Sequence, residues 1–114
     1  MTKKDYKEEI RLAKRMLKIL EGWGWDRDTS RHVDYEAFGN HYRIYQQKIN
    51  DENIAMFKTS YRRNNLLHRL DGPALKTVVE HSNGFKLGNE WWVVNGVEYN
   101  EPEFHFFIAG ALAE

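Results

Sequence analysis

The first 21 residues place apolar side chains at helical spacing. Tyr6, Ile10, Ala13, Leu17 and Leu20 advance in steps of four and three, and Leu12, Met16 and Ile19 broaden the stripe. Thr2 and Asp5 have the spacing of a capping box, and Gly22 and Gly24 supply the left-handed stop. At about 100° per residue, Lys4, Lys7, Arg11, Lys14 and Lys18 fall on the side away from the stripe. A basic amphipathic helix over residues 1–22 is expected.

From about residue 32 the period shortens to two. Tyr42, Ile44 and Gln46 share one face of a strand and Arg43, Tyr45 and Gln47 the other. Asn50–Asn53 reads as a turn and Ile54–Tyr61 as the return strand, with a second turn at Arg62-Arg63-Asn64-Asn65. Ala74–Glu80 and Glu90–Val94 read as further strands, with a turn at 81–84. Asn95-Gly96 is the favoured two-residue hairpin signal, with Val97–Tyr99 pairing back. Asn100 caps a short helix, with Pro102 in its first turn and Glu103 at the capping-box position; Phe104, Phe107, Ile108, Ala111 and Leu112 are expected to cover the sheet. The predicted class is α+β: an N-terminal helix, an antiparallel meander of five to seven strands over 32–99, and a closing helix over 100–113.

Composition narrows the picture. A chain of 114 residues suits a single domain over 1–114, and 41% hydrophobic with 14% aromatic residues predicts a folded one. No cysteine is present, which removes disulfides, thiolate metal sites and thiol nucleophiles. No 18-residue apolar run and no signal-peptide core occur at the start, so a soluble cytoplasmic protein with no membrane partner is expected. The formal net charge is zero, which speaks against a general nucleic-acid binder. It is unevenly spread: residues 1–21 carry +3 and the remainder −3.

Candidate chemistry is sparse. The five histidines form no HxxxH or HExxH pair, the three serines sit in no nucleophile elbow, and no phosphate loop or dinucleotide fingerprint occurs. No metal, cofactor or catalytic set is therefore expected. Candidate binding residues are Lys7, Arg11, Lys14 and Lys18 on the basic stripe, Trp23 and Trp25, and the dibasic turn Arg62-Arg63. The stripe reads as a solvated face or as a dock for phosphates or an acidic protein. The two tryptophans read as a lid over the sheet, because exposing both indoles is costly, or else as a stacking platform.

Residues 64–74 read Asn-Asn-Leu-Leu-His-Arg-Leu-Asp-Gly-Pro-Ala. In His68, Arg69, Asp71, Gly72, Pro73 and Ala74 this resembles the HRxDGPA hairpin repeat of small phage and bacterial proteins. Gly84, Trp91 or Trp92, Asn95 and Gly96 match the rest of one such unit, and residues 100–104 resemble the acidic helix that often follows the last. The resemblance covers roughly residues 60–110. A second HRxDGPA does not follow Asn95-Gly96, so a compact domain is expected in place of an extended array. Read physically, Asp71-Gly72-Pro73 is turn chemistry, with Gly72 taking an unusual dihedral, Arg69 pairing with Asp71, and His68 pointing the other way. The alternative makes His68 a general base and Arg69 an anion anchor in a small hydrolase or nuclease.

The family has no common biochemical activity. The resemblance implies a phage-type accessory protein that binds and modulates or inhibits a host bacterial protein, possible targets including a defence-system component. A nucleic-acid binder using helix 1 is the alternative, and a homodimer through aromatic strands is compatible with either.

Overall fold

The computed structural model describes residues 3–24, 29–51 and 54–112. Nine elements follow one another: α1 (Lys3–Gly22), β1 (Ser30–Ala37), β2 (Asn40–Asp51), β3 (Ile54–Arg63), β4 (Leu66–Leu67), β5 (Leu75–His81), β6 (Gly84–Val94), β7 (Val97–Tyr99) and α2 (Glu101–Leu112). The strands make an antiparallel sheet in the order β1-β2-β3-β5-β6-β7, with β4 paired to β3. This is the α+β meander that the change of period predicts.

Helix α1 ends where glycine permits it. Trp23 N–H returns to Leu20 O at 3.1 Å, and Gly24 takes φ +72°. Three turns have both central residues at positive φ, as type I′ hairpins require: Phe38-Gly39, Asn64-Asn65 and Asn95-Gly96. The second of these corrects the expected dibasic turn. Arg62 and Arg63 are the last residues of β3, because Asn64 and Asn65 tolerate the left-handed region and the arginines pair in the ladder with Leu67 and Leu66. Thr2, Trp25 and the tip at 52–53 lie outside the described residues, so the capping box and half of the indole pair are not described.

Register places Tyr42 and Ile44 of β2, Tyr61 of β3, and Trp92 and Val94 of β6 on one face of the sheet. Both helices cover that face. The last turns of α1 bring Leu20, fully buried, onto Ile44 and Tyr61, with Ala13, Met16, Leu17 and Val33 around them. The first turns of α1 join α2 over a second cluster, in which Leu70, Val94 and Phe104 are enclosed by Tyr6, Ile10, Trp92, Tyr99 and Ile108. Asn100 caps α2 as expected, its Oδ1 accepting the Glu103 N–H at 2.9 Å. Phe107 departs from expectation: it stacks on Tyr99 at 5.5 Å but stays 37% exposed, because Phe104 and Ile108 already fill the sheet side.

Candidate functional site

Residues 68–74 form no strand. The segment instead lies between β3 and β6, in the gap before β5 begins, and its backbone bonds to both neighbours. His68 N–H donates to Tyr61 O (2.9 Å) and Tyr61 N–H to Ala74 O (2.7 Å) on one side. Arg69 N–H donates to Val93 O (3.1 Å) and Ala74 N–H to Trp91 O (2.8 Å) on the other. The motif is thus an irregular piece of sheet, and period-two reasoning fails inside it. His68 and Arg69 do not diverge; both line one cavity with Asp71.

Arg69 is held in three ways. Its Nε donates to Asp71 Oδ1 at 2.7 Å, Nη1 donates to Pro73 O at 3.2 Å, and the guanidinium lies 4.2 Å from the centroid of Tyr61. The expected Arg69–Asp71 pair is present. Gly72 is there for a different reason from the one expected. It is not among the positive-φ residues; a Cβ at this position would stand 2.7 Å from Arg69 Cζ. Gly72 makes room for the guanidinium.

His68 is buried, with a side chain 1% exposed. Its Nδ1 accepts the Asn95 N–H at 3.1 Å, which puts the ring proton on Nε2. Nε2 lies 2.5 Å from Oε1 of Glu9, which is itself buried on the inner face of α1. One imidazole thus ties α1 to the β6–β7 turn. Glu9 is the residue that sequence reasoning missed: the apolar stripe passes over it, and only its distance from every exposed position on the helix hints at burial.

Arg31 was missed too. It is 7% exposed and donates through Nε (3.1 Å) and Nη2 (2.8 Å) to Gln46 Oε1 and through Nη1 to Gly24 O, closing the exit of α1 onto the sheet. Desolvation lowers its pKa from the usual guanidinium value.

The surface residues divide. Lys7, Arg11, Lys14 and Lys18 are all exposed along α1, and Arg11 pairs with Glu8. Trp23 is 56% exposed at the end of the same helix, so it stands in solvent and does not act as a lid. Arg62 and Arg63 are half-buried, with Arg62 Nη1 bonded to Asn65 O at 3.3 Å, so they form no free phosphate loop. On the side of α2 away from the sheet, Phe106 is 84% exposed beside a groove of about 910 Å³ lined by Tyr6, Tyr99, Pro102, Phe107 and Ala111. On the sheet's open face Asp34 bonds Arg43 at 2.7 Å with His32 and His41 alongside, and the Arg43 bond holds its carboxyl below the usual range.

Among the described residues no group of three or more His, Asp or Glu is placed to hold a metal ion, and no helix is long and apolar enough to cross a membrane. Compared with family models, with curated proteins and with solved structures, the chain has no match.

Proposed function

We propose that this is a non-enzymatic binding protein, of the phage-accessory kind that the HRxDGPA resemblance implies, which docks on a bacterial host protein in the host cytoplasm and modulates or inhibits it. The observation that supports this reading is the outer face of α2. Phe106, 84% exposed, flanks an aromatic groove large enough to receive apolar side chains of a partner, and large exposed apolar patches mark interaction sites. The motif histidine supports it indirectly. A buried imidazole with both nitrogens engaged is a poor general base for a substrate arriving from solvent.

A second reading keeps nucleic acid as the partner, favoured by the exposed row Lys7, Arg11, Lys14 and Lys18 running towards exposed Trp23. Two variants separate the readings. Phe106→Asp should abolish capture of one stoichiometric host protein from lysate, while the triple change Lys7→Glu, Arg11→Glu, Lys14→Glu should leave that capture intact. Salt-sensitive nucleic-acid binding lost only in the triple variant would establish the second reading instead. Self-association lost in Phe106→Asp, followed by light scattering, would make the partner a second copy of the chain.

A further inference from the structure

On the face of the sheet away from both helices, one row of side chains crosses five strands. Register runs His32↔Tyr45↔Ser60↔Leu75↔Trp91 through β1, β2, β3, β5 and β6. Residues directly opposed in an antiparallel ladder share a face. Successive residues alternate, and the neighbours Ile44 and Trp92 pack in the clusters under the helices, so Tyr45 and Trp91 stand on the open side. We propose that this row binds single-stranded nucleic acid, with Tyr45 and Trp91 stacking on bases while Arg62 and Lys58 hold phosphates.

The row carries rings toward its two sides and shorter side chains between them. His32 and Tyr45 are neighbours, with centroids 6.5 Å apart, and Trp91 is 45% exposed. Ser60 and Leu75, between them, are buried. Neighbouring strands lie about 4.8 Å apart, so Tyr45 and Trp91, three strand spacings apart, are separated by roughly 14 Å. That is too far to clamp one base and suits two bases of one extended strand. A duplex keeps its base faces inside the stack, so rings on a sheet reach only unpaired bases.

Charge selects a polyanion as the occupant. On β3, Arg62 and Lys58 stand on the same face as Ser60, two residues to either side of it, so a cation flanks the row on both sides. No acid occupies an open-face position of β3 or β5. The acids of this face lie at its margins, Asp34 and Glu36 on β1 and Glu98 on β7, and Arg43 engages Asp34 at 2.7 Å. Arg62 gives one of its N–H donors to Asn65 O at 3.3 Å, which leaves most of its fork for a phosphate. A net charge of zero limits such a site to few phosphates. Two contacts give a salt slope of about −1.4, at 0.7 per phosphate on a single strand. The inference rests on the open face and is independent of the α2 groove and of the α1 stripe.

The test is fluorescence anisotropy of labelled oligothymidylate, oligouridylate and a DNA duplex of the same length, titrated with the full chain at rising salt. Both single strands should bind more tightly than the duplex, with a slope near −1.4. Tyr45→Ala and Trp91→Ala should each weaken binding by about 5- to 150-fold, the loss of one stacked base, while Tyr45→Phe keeps it. Lys58→Gln should make the slope shallower by about 0.7. No single-strand binding at low salt overturns the proposal, as does equal affinity for the duplex. Binding lost in the triple change Lys7→Glu, Arg11→Glu, Lys14→Glu and kept in Trp91→Ala overturns it in favour of α1. Self-association lost in Trp91→Ala, with no oligonucleotide bound, makes the occupant a second copy and overturns it too. If the alanine variants do not fold, Lys58→Gln, which removes a charge and no ring, decides by its slope.

Discussion

Glu9 occupies a position on α1 where a hydrocarbon would be easier to bury, and its bond to His68 helps to make that tolerable. Taking a carboxylate out of water is costly unless it is paired and bonded, and removing one partner leaves the other stranded. His68→Ala should therefore cost about 3–5 kcal/mol, a large part of the roughly 5–15 kcal/mol that a domain has. Replacing both residues with leucine should cost far less than the two single changes together, since an apolar pair needs no partner. Urea unfolding of the four proteins in this cycle measures the coupling, and additive losses would mean that the 2.5 Å contact carries no energy. At this scale the motif was partly legible. Arg69–Asp71 followed from charge and spacing, and the resemblance drew attention to His68. Glu9 was not, because a buried acid on a helix is recognised only by the distant residue that meets it. Gly72 was noticed for the wrong cause: a glycine that clears space for a guanidinium looks the same in sequence as one that bends the chain.

Strand β6 shows where element reading stops short. Glu90–Val94 announces itself through tryptophan and valine, whereas Gly84, Gly88 and Asn89 are poor strand formers, yet the strand begins at Gly84. Pairing with β5 overrides propensity. The ladder runs His81↔Gly84 through Val78↔Leu87, slips, and resumes at Lys76↔Glu90. The slip is a bulge at Gly88-Asn89, fastened by the Asn89 N–H donating to Thr77 Oγ1 at 2.7 Å. A Cβ on Gly88 would meet that Oγ1 and stand 3.1 Å from the Thr77 carbonyl. Gly88→Ala should thus cost about 1–3 kcal/mol by overpacking. Thr77→Ala should recover part of this in the double variant by removing the hydroxyl. Thermal melts of the three proteins check it; a Gly88→Ala melt equal to wild type would mean that the bulge relaxes freely. The Phe38-Gly39 hairpin was missed for a related reason. A phenylalanine at φ +56° is a choice the local sequence does not favour, and the β1–β2 ladder imposes it. Turns carried by asparagine, at 64–65 and 95–96, follow the rule, and the second of them was read directly.

Across the molecule, the sheet has one covered and one open face, and the covered face concentrates phenols under the basic helix. Tyr35 stacks on Tyr42 at 4.8 Å, and Tyr61 packs against the end of α1 with Leu20 and Ile44. All three have pKa values raised above the ordinary 10.0, in each case chiefly by burial; Glu9 adds to Tyr35 and Tyr42, and Asp71 to Tyr35 and Tyr61. Their effect on stability has a definite sign. In the unfolded chain these phenols ionise near pH 10, while in the folded chain they keep their protons to higher pH. Between those limits the unfolded state binds fewer protons, so unfolding is favoured as pH rises. The contribution is fully present below about pH 10 and is lost above it, at up to about 1.4 kcal/mol per pH unit for each tyrosine. Three phenols share this range, so the slope alone does not identify which of them carries it. Tyr35→Phe does. This half-buried residue keeps its ring stack without the hydroxyl, and the variant should lose stability less steeply than wild type between pH 9.5 and 11 in urea unfolding, after matching at pH 8. Equal slopes would mean that Tyr35 does not carry the alkaline lability.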